Sequence, residues 1–206
     1  VTVIYPVRGR KDTGDMTPNG MYPYANGLPF LQEVAAATDS SVMALLMHWE
    51  GTAPWAPPYV YPPFGGAEQF ADFLRRAHDK NMFVGLYMSG MGYTLKSNVL
   101  SDYDRTTDFE RDHIADIVCT DSDGSKKGII CTQQRVGYDL CPACEQTKQI
   151  MSDEITKLCD MGVDYVQALD QNHGGVSYFC YSDKHGHIPA PGRWQAEETC
   201  KMLDLV

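Results

Sequence analysis

The chain has 206 residues, 43% of them hydrophobic and 11% aromatic, with 17 basic against 27 acidic side chains for a net charge of −10. Such a length suits one domain with its own core, and the composition excludes a disordered polyampholyte. The negative balance argues against a surface that tracks phosphates. No apolar run approaches the ~18 residues of a membrane span, so the sequence predicts neither a nucleic-acid partner nor a membrane-spanning one.

Val1 to Tyr5 reads as a short strand with no initiator Met before it. Leu28 to Thr38 follows as a helix with Leu31, Val34 and Ala35 at helical spacing. The continuous apolar run Val42 to Met47 is that of a strand buried on both faces. Ala67 to Lys80 is an amphipathic helix, its Phe70, Phe73, Leu74 and Ala77 falling at i, i+3, i+4 and i+7. Asn81 breaks it, and Met82 to Met88 is the next buried strand.

From Ser89 to Val136 the pattern weakens into a long polar stretch rich in Asp and Gly. A loop of this length in a compact domain tends to be functional. Asp116 to Thr120 and Gly128 to Cys131 read as arms of a hairpin around Asp121-Ser122-Asp123-Gly124, and Gly137 to Leu140 as a brief strand. That Asp-rich turn imitates the start of a calcium loop, but Thr132 stands where the closing Glu belongs. Glu145 to Met161 is a helix ended by Gly162, Val163 to Leu169 a strand, and Gly192 to Leu205 a last helix that is still running where the sequence stops.

Strand and helix in alternation imply parallel strands joined by right-handed crossovers. An open doubly wound sheet and a (β/α)₈ barrel both satisfy this. No glycine-rich phosphate fingerprint follows the first strand, which weakens the nucleotide-binding sheet. Polar and aromatic residues gather just after strands: His48-Trp49-Glu50, Tyr87-Met88-Ser89 and Asp170-Gln171-Asn172-His173. Barrel enzymes carry their chemistry at that rim. Only four or five βα units fit in 206 residues. The expected fold is therefore α/β: residues 1–206 as the N-terminal half to two-thirds of a (β/α)₈ TIM barrel, with a long insertion at about 89–136.

Asp170 is the leading catalytic candidate, because a carboxylate at the mouth of a parallel strand meets water and substrate. The alternative is a helix cap or a loop-stabilising Asp. For His48-Trp49-Glu50, a sugar platform competes with a Trp plugging the barrel top and a Glu paired to an Arg. The stretch from Trp55 to Phe64, stiffened by prolines, reads as a subsite wall or as a cap. Tyr181-Ser182-Asp183-Lys184-His185-Gly186-His187 reads as hydrogen bonding to a substrate, or as a salt-bridged loop, more readily than as a metal site.

Seven cysteines are an odd number, so one at least stays free or pairs outside the chain. Cys159 reads as core. Cys119 and Cys131 flank the Asp-Gly turn closely enough for a disulfide, which would place the protein in an oxidising, extracytoplasmic compartment. Cys141-Pro142-Ala143-Cys144 opens a helix. It could be redox-active, or join Cys119 and Cys131 around zinc, or be a structural disulfide or free thiols; the spacings are not diagnostic, and neither metal nor cofactor is expected.

Several ordered features resemble a family of glycoside-hydrolase-like barrels of unknown function, related in layout to α-glycosidase barrels. They are His48-Trp49-Glu50-Gly51 with Tyr61-Pro62-Pro63-Phe64-Gly65-Gly66; Ala77-His78 leading into the Val84 to Met88 strand; Leu140-Cys141-Pro142; Gly162-Val163-Asp164; and Leu169-Asp170-Gln171 with Cys180-Tyr181, His185-Gly186-His187 and Trp194. Ala190-Pro191-Gly192 departs from the glycine-rich turn expected there. The resemblance implies that Asp170 ends the fourth barrel strand as nucleophile or charge-stabilising carboxylate. His48, Trp49, Glu50, Tyr87, Gln171, His185 and His187 would line a sugar pocket. Glycoside hydrolysis needs two carboxyl groups, and the second would come from the remainder of the barrel, in the same or another chain. A non-catalytic carbohydrate-binding or structural protein on the same barrel is the competing expectation.

Overall fold

In the computed structural model, which describes residues 1–9, 17–128, 135–168 and 178–205, the elements run in the order β1 (Thr2–Pro6), α1 (Leu28–Thr38), β2 (Met43–Met47), α2 (Ala67–His78), β3 (Phe83–Tyr87), β4 (Gly92–Ser97), α3 (Thr106–Arg111), β5 (Arg135–Asp139), α4 (Glu145–Asp160), β6 (Tyr165–Gln167) and α5 (Trp194–Leu203). The chain divides into two compact units. The first holds residues 1–55, 60–88 and 157–168, and the second 56–59, 89–156 and 169–206.

The first unit is built on a parallel sheet of order β1-β2-β3-β6. Because strand side chains alternate, the register sorts them into two faces. Tyr5, Leu46 and Leu86 lie in one row and are buried. Tyr5 stacks at 6.1 Å on Phe73 of α2, and Tyr24 meets Phe70 edge-on at 5.4 Å. The helical spacing of Phe70, Phe73, Leu74 and Ala77 puts all four in the core, each large side chain contributing about 1.5–3 kcal/mol by its burial. Ile4, Leu45, Gly85 and Tyr165 form a row on the opposite face, where Ile4 and Tyr165 are exposed, as is Phe83 one step along that face. The strands are parallel as the sequence predicts, but burial on both faces holds only for the middle of β2 and most of β3 and fails at Ile4, Phe83 and Tyr165. Gly162, at φ 86°, takes the left-handed conformation expected after α4.

The second unit corrects the reading of the weakly patterned stretch. It contains a strand, β4, paired antiparallel with β5, and the short helix α3. Among the described residues, the expected hairpin region carries isolated bridges, Val118 to Leu140, Thr120 to Lys126 and Gly128 to Tyr138; residues 129–131 of its second arm lie outside the described residues. Gly137 is required in β5, since a Cβ there would sit 2.1 Å from the Tyr93 carbonyl oxygen. A small core of Tyr93, Phe109, Ile114, Ile117, Val118 and Leu140 fills this unit. Lys148 of α4, nearly buried, pairs with Glu198 of α5 at 2.7 Å. The Asp121–Gly124 turn closes through the Gly124 N–H to the Asp121 carbonyl, as a turn rather than a calcium loop. No helix among the described residues is long and apolar enough to cross a membrane.

Candidate functional sites

The C-terminal ends of β2 and β3 gather four of the predicted site residues in the first unit. His48 leaves β2 with φ 58°, a left-handed conformation uncommon for a residue with a Cβ. Its ring lies edge-on to Trp55 at 4.6 Å, and Nδ1 contacts the Arg8 carbonyl at 3.2 Å. Arg8 is itself buried; its Nε donates to the His48 carbonyl at 3.0 Å, its terminal nitrogen donates to the Glu50 carbonyl, and its guanidinium lies 4.1 Å above the Phe64 ring. Burial lowers the Arg8 pKa, and the negative charge of Glu50 offsets part of that. Glu50 is fully buried, and its Oε1 accepts the Trp55 N–H at 3.1 Å. Trp49 is also fully buried: its indole N–H donates to the Tyr87 carbonyl at 2.7 Å, and Phe70 lies 6.5 Å away.

Trp49 is thus a packed side chain rather than an open platform, and Arg8 meets Glu50 at its backbone carbonyl, with the Glu50 charge acting on the guanidinium from nearby. The Trp49 ring packs beneath the strand ends and joins the tip of β2 to that of β3. Tyr87 is nearly buried beside it. Asp170 and Gln171 lie outside the described residues, three and four positions after the last residue of β6 in the sequence.

His185 and His187 belong to the second unit, where they meet thiols. One atom each of Cys141, Cys180, His185 and His187 falls within 4.8 Å of every other. Cys180 Sγ lies 3.3 Å from His185 Nδ1, and Cys141 Sγ lies 3.4 Å from His187 Nε2. The outer nitrogen of each ring is engaged by a backbone carbonyl: His185 Nε2 by Asp116 at 2.9 Å, His187 Nδ1 by Ile188 at 2.7 Å. Trp194 stacks flat on His187, with ring centroids 3.6 Å apart and planes 9° from parallel. The Thr120 N–H points at Cys180 Sγ at 3.4 Å, while the Cys119 thiol donates to the Tyr178 carbonyl at 3.8 Å. Hydrogen bonds that the ring donates to Cys141 and Cys180 push the His185 pKa up to about 10. The Cys141 thiol is pushed down, first by Cys119, and Cys119 is pushed up, first by Cys141.

Free thiols, one of the expected arrangements, match the described cysteines, whereas the gathering of Cys141 and Cys180 with two histidines is not among those expected from sequence. Cys131 lies outside the described residues, so its pairing with Cys119 does too. The six described cysteines are free thiols, and Cys159 is exposed rather than core. Sequence reasoning noticed the Cys-x-x-Cys and the His-x-His separately. The signal it missed was Cys180, five residues before His185, which carries a second thiol to the same place as Cys141.

A parallel sheet with polar residues at one end of its strands is a fold that this chain shares with glycoside hydrolases. The α-N-acetylgalactosaminidase of Bifidobacterium bifidum, in its GalNAc complex, superposes with a TM-score of 0.69 at 12% identity, over 98% of this chain and 32% of that one. Its ligand-free form gives 0.68 at 14% identity, over 99% and 33%. The α-galactosidase of Thermus thermophilus, bound to p-nitrophenyl α-D-galactopyranoside, gives 0.52 at 14% identity, over 98% and 34%. The chain therefore spans about a third of the length of the solved structures it matches. No curated protein matches the sequence. The family described as Domain of unknown function (DUF6259) matches residues 15–206, and the chain belongs to that family.

Proposed function

We propose that this chain is the N-terminal part of a (β/α)₈ glycoside hydrolase domain, with Asp170 as nucleophile or charge-stabilising carboxylate. The observation that carries the reading is the four-stranded parallel sheet, whose fold matches the N-acetylgalactosaminidase over nearly the whole chain. β6 is the fourth strand of that sheet, and Asp170 follows it closely in sequence. The exposed row of Ile4, Phe83 and Tyr165 suits the inner face of a barrel whose remaining strands would cover it. In this reading His48, Glu50, Tyr87 and Gln171 bind the sugar and Trp49 supports the strand ends from beneath, while His185 and His187 are engaged with Cys141 and Cys180 in the second unit. The segment at about 89–136 is an insertion between barrel units. The partner acid comes from beyond the present residues, and the substrate is a carbohydrate of the α-galactoside class that the solved relatives bind.

Asp170→Asn in the full-length protein tests the proposal. Turnover of aryl α-galactosides or α-N-acetylgalactosaminides should fall by about 10³-fold or more while ligand affinity is kept, since a transition-state interaction is removed. Unchanged turnover would remove Asp170 from the mechanism. A wild-type protein that binds such sugars and turns none over would establish the non-catalytic alternative.

A further inference from the structure

We propose that Cys141, Cys180, His185 and His187 form a closed, structural zinc site in the second unit. Tetrahedral zinc holds sulfur at about 2.3 Å and nitrogen at about 2.0–2.1 Å, which sets a sulfur and a nitrogen ligand about 3.5 Å apart. The two sulfur–nitrogen pairs here stand at 3.3 and 3.4 Å. All four donor atoms lie within 4.8 Å of one another, a spread that one ion can bridge after small inward shifts.

The surroundings select the same four atoms. Each histidine donates its outer N–H to a backbone carbonyl, so a metal that displaces the inner proton would find the ring's lone pair directed toward the sulfurs. Zinc-ligating histidines are oriented in this manner, and the outer bond fixes the tautomer. The Thr120 N–H directed at Cys180 stabilises sulfur as an acceptor, as a thiolate ligand requires. Cys119 turns its thiol to the Tyr178 carbonyl and is a neighbour, not a ligand. Cys141 thus serves without its Cys-x-x-Cys partner, Cys144.

Two thiolates and two imidazoles select zinc over calcium or magnesium. Four protein ligands leave no open position, so the ion would be structural. Its mechanical role follows from the fold. Residues 178–193 contain no helix or strand, and zinc would tie them to the residue that precedes α4 by four positions. The site is independent of the proposed hydrolase activity.

The test is zinc content in the full-length protein, purified reduced and supplied with zinc, together with the visible spectrum of its cobalt(II)-substituted form. About one zinc per chain is expected, with tetrahedral cobalt bands and sulfur-to-cobalt charge transfer. Cys180→Ser and His185→Ala should each reduce the zinc to below about 0.2 per chain, while Cys144→Ser and Cys159→Ser keep it. The wild-type cobalt spectrum is decisive even where a ligand variant fails to fold. Any of three results would overturn the site: sub-stoichiometric zinc in the wild type, a weak octahedral cobalt spectrum, or a mass showing Cys141 and Cys180 joined as a disulfide. Loss of zinc in Cys144→Ser as complete as in Cys180→Ser would overturn the ligand assignment.

Discussion

Trp49 and Cys180 are both fully enclosed, yet they are enclosed by different chemistry. Around Trp49 the first unit supplies the Phe70 ring and one well-placed carbonyl, and the sheet beneath it is a continuous apolar layer. Around Cys180 the second unit supplies thiols, imidazoles and backbone N–H groups. One region gains its order from the area it removes from water; the other gains much of its order from a few directed polar contacts. Two kinds of sequence signal correspond to these two kinds of cohesion.

The comparison can be broken most directly at Trp49. Trp49→Ala leaves a large void under the strand ends and should cost about 3–5 kcal/mol in urea denaturation. A cost below 1 kcal/mol would mean that the first unit does not depend on its apolar packing as described. Next comes Gly137→Ala, which forces a Cβ against the Tyr93 carbonyl and must push β4 and β5 apart. About 1–3 kcal/mol is expected, with faster amide exchange confined to β4 and β5. Exchange that rises equally in β1 to β3 would show that the two units do not behave separately.

The smallest effect sharpens the contrast through pH. Burial pushes the Tyr5 phenol up to about 12, against a lowering by backbone hydrogen bonding at Gly27. A group whose folded pKa is raised contributes stability that is complete below its unfolded value near 10 and is lost as pH rises through 12. Tyr5 also donates to the Tyr24 carbonyl at 2.6 Å. Tyr5→Phe should therefore cost about 1 kcal/mol at neutral pH and flatten the stability loss between pH 10 and 12. Thermal melts of the two proteins across that range check it; identical alkaline slopes would count against the buried phenol as the cause.

What the sequence disclosed follows from the same contrast. The bounds of α1 match the periodicity residue for residue, and β2, α2, β3 and α4 differ by a few residues at most, because their apolar spacing is enforced by burial. β4 escaped notice because Gly92-Tyr93-Thr94-Leu95-Lys96-Ser97 mixes glycine and polar residues, and its pairing with β5 is set by a partner some forty positions away. α3 has only six residues, too few for a helical period to show. The Cys–His cluster was illegible for a related reason. Cys141 is separated from the other three by the whole of α4 and β6 in sequence, and only the fold brings it to His187. The motif Cys-x-x-Cys drew attention to a local pair, while the productive neighbour of Cys141 came from a distance.

The stacking of Trp194 on His187 gives the second unit an optical reporter of its own. Trp49 and Trp55 fall in the first unit, which leaves Trp194 as the sole indole of the second. An imidazole in face contact can accept an electron from an excited indole far more readily when it is cationic than when it is neutral. The brightness of this one side chain is therefore tied to the state of the ring beside it, metal-bound or protonated, and light emitted by residue 194 carries information about a histidine that absorbs none.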